Sequence, residues 1–165
     1  MAPNVPTVTQ RDWVSLIPHI LLIGLLTYVY YLLNIEDPSL FGILTYLVLA
    51  FGLRNLVAKS HRKGVRLLKQ QKFNEAIPYF EKSADYFSKN SWVDKYRFLT
   101  LLSSSKMTYR AMDLCNIAFC YSQTGNGLKA KELYQQILRE YPENGVATAA
   151  LNMLNSLEVK TENDK

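Results

Sequence analysis

From Trp13 to Leu33 the chain reads WVSLIPHILLIGLLTYVYYLL, 21 residues without a formal charge. As a helix such a run reaches about 31 Å, which matches the hydrocarbon core of a bilayer. A secretory signal peptide would place positive charge before a shorter apolar core and close on small residues. The tyrosine-rich exit TYVYYLL offers no such site, so the segment is expected to be retained as an anchor. Pro18 and His19 fall in its first two turns, where proline is tolerated and an imidazole reaches the interface.

A second apolar run, LFGILTYLVLAFGLRNLVA from Leu40 to Ala58, is 19 residues long. Arg54 lies one turn from its end, where its stem can follow lipid while the guanidinium reaches headgroups. Only Leu40 to Leu53 is strictly uncharged, which leaves a re-entrant helix as the alternative to a full span. The connection NIEDPS between the runs is short and acidic, with Asp37 placed as an N-cap and Pro38 at the first helical position.

Charge is distributed as unevenly as hydropathy. Of 19 Lys and Arg residues, 18 lie at Arg54 or beyond. After the second run come Arg54, Lys59, Arg62, Lys63 and Arg66, then Lys69 and Lys72, with no acidic residue between Pro38 and Asn74. The loop between the runs carries Glu36 and Asp37 and no base. The positive-inside rule therefore puts the N-terminus and the C-terminal domain in the cytoplasm, with Arg54, Lys59, Arg62, Lys63 and Arg66 as topology and headgroup contacts. A bacterial inner (plasma) membrane fits this asymmetry, and an organellar outer membrane facing the cytosol satisfies the same physics.

Beyond Lys59 apolar residues recur at helical spacing, Val65, Leu68, Phe73, Ile77, Phe80, Ala84 and Phe87, with no β-type alternation. An all-α protein is expected: a 1–12 tail, two transmembrane helices at 13–33 and 40–58, a helical domain over 59–158 and a disordered 159–165 tail. Two segments of that domain align with each other, GVRLLKQQKFNEAIPYFEKSA and AFCYSQTGNGLKAKELYQQILREYP. Both resemble the tetratricopeptide repeat (TPR), a 34-residue helix-turn-helix unit. Gly64, Leu67, Phe73, Ala76, Phe80 and Ser83 take the family positions in the first. Leu114, Ile117, Ala118, Tyr121, Gly125, Ala130, Tyr134 and Pro142 take them in the second, with Gly127 and Ile137 as departures. Small residues at Gly64 or Ala118 facing Ala76 or Ala130 would let paired helices approach closely.

Ala76 and Ala130 lie 54 positions apart, 20 more than one repeat. The excess is an insertion near 88–107, with Trp92, Tyr96, Leu99 and Leu102 at helical spacing and Ser103 to Ser105 as a turn. It is expected to extend the flanking helices or to form a short one of its own. After Pro142, Val146, Ala150, Met153 and Leu157 share one face of a capping helix.

The TPR resemblance implies a protein-binding groove lined by His61, Val65, Leu68 and Lys69 of the first repeat and Cys115, Phe119, Ser122 and Gln123 of the second. Leu68 and Phe119 face either a ligand or the insertion. Two repeats and a cap leave apolar ends that the insertion, the anchor, a second copy or a partner must cover. No phosphate loop, paired metal-ligand motif or nucleophile elbow occurs, and Asp85, Asp94, Asp113, Glu132 and Glu140 are spread along faces expected to be solvated. Cys115 and Cys120, five positions apart, point about 140° from one another on a helix and cannot bridge within it. The chain thus reads as a non-enzymatic, membrane-anchored adaptor for a protein partner, without cofactor, metal or nucleic acid. An integral structural subunit or self-assembling component is the alternative.

Overall fold

The computed structural model describes residues 13–163, with side chains as far as 156. The expected tail 1–12 lies outside the described residues. Among these, the protein is all-helical, with α1 (Leu16–Leu32), α2 (Pro38–Val57), α3 (Lys59–Lys69), α4 (Phe73–Lys89), α5 (Ser91–Lys95), α6 (Arg97–Thr100), α7 (Tyr109–Gln123), α8 (Gly127–Glu140) and α9 (Gly145–Asn163). The chain forms two units. Of the described residues, 13–59 and 90–108 make one, and 60–89 with 109–163 make the other.

In the first unit α1 and α2 pair as an antiparallel hairpin. A Cβ on Gly42 would stand 2.5 Å from Thr27 Oγ1, so the helices meet here only because position 42 has no side chain. Tyr30 Oη and Thr45 Oγ1 share a hydrogen bond of 2.8 Å a turn away. The connection turns through Asn34 (φ 52°) and Asp37 (φ 55°), residue types whose short polar side chains tolerate the left-handed region. Asp37 does not act as a side-chain cap; its carbonyl accepts from Leu40 and Phe41 instead. The helices also differ in length from the apolar runs. Trp13 to Ser15 form a turn, leaving α1 at 17 residues, and among the described residues α2, at 20, is the one helix whose length and composition match a bilayer span.

The insertion belongs to this unit, and it is neither an extension of its neighbours nor a single helix. Two short helices, α5 and α6, fold around Arg97, whose guanidinium donates to three main-chain carbonyls: Nε to Ser105 (2.9 Å), Nη1 to Asp94 (3.1 Å) and Nη2 to Lys106 (2.6 Å). Val93, Leu101 and Leu102 are buried, while Trp92, Tyr96 and Leu99 of the anticipated apolar face are exposed at 62, 46 and 55 %.

The second unit stacks α4 on α7, α7 on α8 and α8 on α9. Its core joins Leu68, Ala76, Ile77, Phe80, Ile117 and Cys120. Gly64 again marks a close approach, since a Cβ there would lie 2.7 Å from the Phe80 ring. A 54-residue offset relates the two halves in detail: Ala76 and Ala130 are both fully buried, as are Phe80 and Tyr134, to within 3 %. Both first helices end alike. Lys72 N–H returns to Leu67 O (3.0 Å) past a left-handed Gln71 (φ 61°), and Asn126 N–H returns to Tyr121 O (2.9 Å) past Gly125 (φ 79°). Ile137, the departure noted above, is also fully buried. α9 continues through Asn163, past Val159 where an unstructured tail was expected.

Ala58 (φ −93°, ψ 30°) ends α2, and α3 starts at the next residue.

Candidate functional site

The residues expected to line a groove come from α3 and α7, and a polar contact joins these helices. His61 Nδ1–H donates to Asp113 Oδ1 at 2.6 Å, with Asp113 fully buried and His61 14 % exposed at its side chain. Edge-on contact with Tyr109 (5.1 Å) and Phe80 (6.1 Å) fixes the ring. Asp113 therefore lies in the interior rather than on a solvated face, and Asp94, 4 % exposed, is likewise buried. A buried carboxylate is tolerated where a charged or polar donor meets it, and His61 is such a donor here.

The proposed groove divides into core and surface. Leu68 and Cys115 are each 6 % exposed and are packing residues, unavailable to a ligand. Leu68 faces Ala76 and Phe80, and the Cys115 sulfur accepts from Asn144 Nδ2 at 3.5 Å on the α9 side. Lys69 and Gln123 are exposed, while His61, Val65, Phe119 and Ser122 are half-buried. Phe119 lies edge-on to Phe73 at 6.0 Å, and Ser122 Oγ donates to Phe119 O at 2.7 Å. What remains accessible is a mixed strip, with one aromatic flanked by a base, an amide and a hydroxyl.

Arg62, Lys63 and Arg66 are exposed on α3, opposite Gly64 and Leu68, and Lys59 is exposed at its start. Lys63 Nζ lies 4.3 Å above the Tyr79 ring. Arg54 is different. Its side chain turns back into the protein, where Nε donates to Leu101 O (3.1 Å) and Nη2 to Leu102 O. The expected headgroup contact is corrected for this residue: the guanidinium is taken up by main-chain carbonyls. His19, buried to 6 %, does the same from α1, with Nε2–H donating to Phe98 O at 2.9 Å.

Elsewhere the chemistry is quiet. Burial pushes both the Cys115 and Cys120 thiols up to about 11, so neither is a thiolate at neutral pH. Burial likewise raises Tyr134. Among the described residues no group of three or more His, Cys, Asp or Glu could hold a metal ion. Arg110, at the start of α7, pairs with Glu140 at the end of α8 and donates to Tyr141 Oη at 3.0 Å. The hydrogen bond from Arg110 holds Glu140 below the usual carboxylate range, and the same bond raises Arg110. A lowered folded value stabilises above the ordinary one and is lost as pH falls through the folded one. Glu140→Gln is therefore expected to cost less than about 1 kcal/mol at neutral pH, the pair being partly exposed, and nothing at low pH. Urea midpoints of both proteins should converge on acidification; a gap that persists at low pH would contradict the assignment.

Comparison with known proteins returns no counterpart: no family model, curated protein or solved structure matches this chain.

Proposed function

We propose that the protein is a membrane-anchored adaptor, in which the α1–α2 hairpin spans a bilayer and a short TPR-like solenoid recruits a protein partner at its cytoplasmic face. The observation that carries the anchor is the exposure of apolar surface. Only 11 % of the most apolar stretch of α2 is buried, and Ile20, Leu21, Leu25, Val48 and Phe51 are each more than half exposed. A core helix of a water-soluble protein hides such a surface, and an uncovered patch of this extent calls for lipid or another protein. α1 is short for a span, at about 26 Å, and local thinning or flanking residues would make up the difference. The base-rich start of α3 and the acidic α1–α2 loop favour a solenoid on the cytoplasmic side, whether of a bacterial plasma membrane or of an organellar outer membrane.

The solenoid reading is supported by the buried small and aromatic residues that recur 54 positions apart and by the matching helix ends at the same offset. Its ligand strip is His61, Val65, Lys69, Phe119, Ser122 and Gln123, suited to a peptide segment with an apolar anchor. Photo-crosslinkers at Phe119 and Gln123 in native membranes, with exposed Gln135 on α8 as control, test it. One discrete heterologous product from the first two positions alone is expected; equal labelling from all three, or none, would discard the strip.

A second reading, an integral subunit of a membrane complex, is favoured by Gly24 and Gly52. A Cβ at either position would meet nothing within 4 Å beyond its own helix backbone, which leaves two places where another helix could approach closely. Replacing 13–58 by an unrelated two-span anchor separates the readings: an adaptor keeps its crosslink from Phe119, and a subunit loses its complex.

A further inference from the structure

The 90–108 segment has a position and a surface that neither repeat packing nor linking accounts for. His19 lies near the start of α1 and Arg54 near the end of α2, so in the antiparallel hairpin they mark the same end. Both hold this segment by its main chain, His19 at Phe98 O and Arg54 at Leu101 O and Leu102 O. The insertion is thereby fastened across one end of the hairpin. That end is basic on its surface: Lys59, Lys95 and Lys106 are exposed, and the segment's acid, Asp94, is buried. The opposite end carries Glu36 and Asp37 and no base.

The exposed apolar residues of the segment are Trp92, Tyr96 and Leu99. Lys95 Nζ stands 5.6 Å from the Tyr96 ring centre. Tryptophan and tyrosine beside lysine, at the end of an apolar hairpin, are the side chains that favour the boundary between hydrocarbon and headgroups, where an apolar body and a polar tip are both solvated. Arg97 is not available for headgroups because its guanidinium is occupied by Asp94, Ser105 and Lys106 carbonyls. It serves to keep the segment folded while the lysines and aromatics face outward.

We propose that residues 90–108 form an interfacial platform that seats Trp92, Tyr96 and Leu99 among the headgroups of an anionic bilayer, with Lys95 and Lys106 as the charge contacts. This rests on the reading of α1 and α2 as spans and adds a lipid-binding surface from a segment distant in sequence. The platform would fix the hairpin's depth and the end at which it stops sliding through the membrane.

The chain has two tryptophans, so Trp13→Phe leaves Trp92 as the sole indole. Full-length protein is reconstituted into phosphatidylglycerol vesicles containing lipids spin-labelled at carbon 5 or at carbon 12 of the acyl chain. Trp92 is expected to lose about half its emission or more to the shallow label and clearly less to the deep one. Lys95→Glu with Lys106→Glu should reduce the shallow quenching by at least about twofold. A second probe, Tyr28→Trp in a chain with Trp13→Phe and Trp92→Phe, reports on the hairpin. If the Tyr28→Trp probe is quenched most by the deep label while Trp92 is untouched, the platform is overturned and the spans stand. Quenching at neither position overturns both. Trp92 shielded from lipid label and from aqueous acrylamide alike would mean that protein, a second copy included, covers this surface, and that also overturns the proposal.

Discussion

Phe80→Ala is expected to cost the repeat unit about 3–5 kcal/mol. The ring is fully buried in the cluster with Leu68, Ala76, Ile77, Ile117 and Cys120, and it occupies the space that a side chain at position 64 would need. Removing it leaves a cavity bounded by α3, α4 and α7, which cannot all close in on one another. Gly64→Ala tests the same contact from the other side. Its new methyl would meet the ring at 2.7 Å, an overpacking cost of about 1–3 kcal/mol, partly offset by about 0.5–1 kcal/mol of helix preference. Because both act on one space, the double variant Gly64→Ala with Phe80→Leu should be more stable than the sum of its parts. Hydrogen exchange of α3, α4 and α7 in the full chain reads this locally. Protection should fall by roughly two to three and a half orders of magnitude for Phe80→Ala. A loss below tenfold, or strict additivity in the pair, would show that the two helices do not meet there.

That a close approach falls at Gly64 was legible because it is a matter of period and size, but the residue expected to face it was Ala76, and the Phe80 ring stands there instead. Gly64, Ala76 and Phe80 recur at Ala118, Ala130 and Tyr134 with helical spacing, and repetition at a fixed offset survives without knowledge of any partner. Other features could not be read this way. His19, Arg54 and Asp113 find partners 79, 47 or 48, and 52 positions away. Two of those three bond to main-chain carbonyls, which carry no residue identity and leave no trace in the order of side chains. The stripe Trp92, Tyr96, Leu99 has the same period as a core face and turned out to be exposed, since period reports that a helix has two faces and not which one is covered. Leu102 adopts φ 48°, a conformation that its side chain does nothing to announce. In the proposed groove, Leu68 and Cys115 were placed by family position, whereas burial depends on the neighbouring helix. α9 packs on α8, and its leading Asn144 meets the face of α7 that carries Cys115.

Arg54→Ala should unfasten the insertion while leaving the hairpin paired. Leu101 is fully buried and Leu102 is 2 % exposed, so the carbonyls that lose their donor have little access to water. An orphaned buried acceptor costs about 1–3 kcal/mol, and here two share one donor. The same site holds Leu102 in the left-handed region, which for a non-glycine residue costs roughly 1–2 kcal/mol and allows Ser103 N–H to return to Arg97 O at 3.0 Å. The guanidinium grips the chain where it is most strained, so its loss removes the reason for that geometry to persist. Local stability is expected to fall by about 2–5 kcal/mol, with amides of 97–104 exchanging at least thirtyfold faster and those of α1 and α2 little changed. Arg54→Lys should give an intermediate result, because an ammonium keeps the charge but lacks the planar fork that serves both carbonyls. An arginine that served lipid headgroups alone would leave the exchange of 97–104 untouched by either of these changes, and that outcome would return Arg54 to the membrane surface.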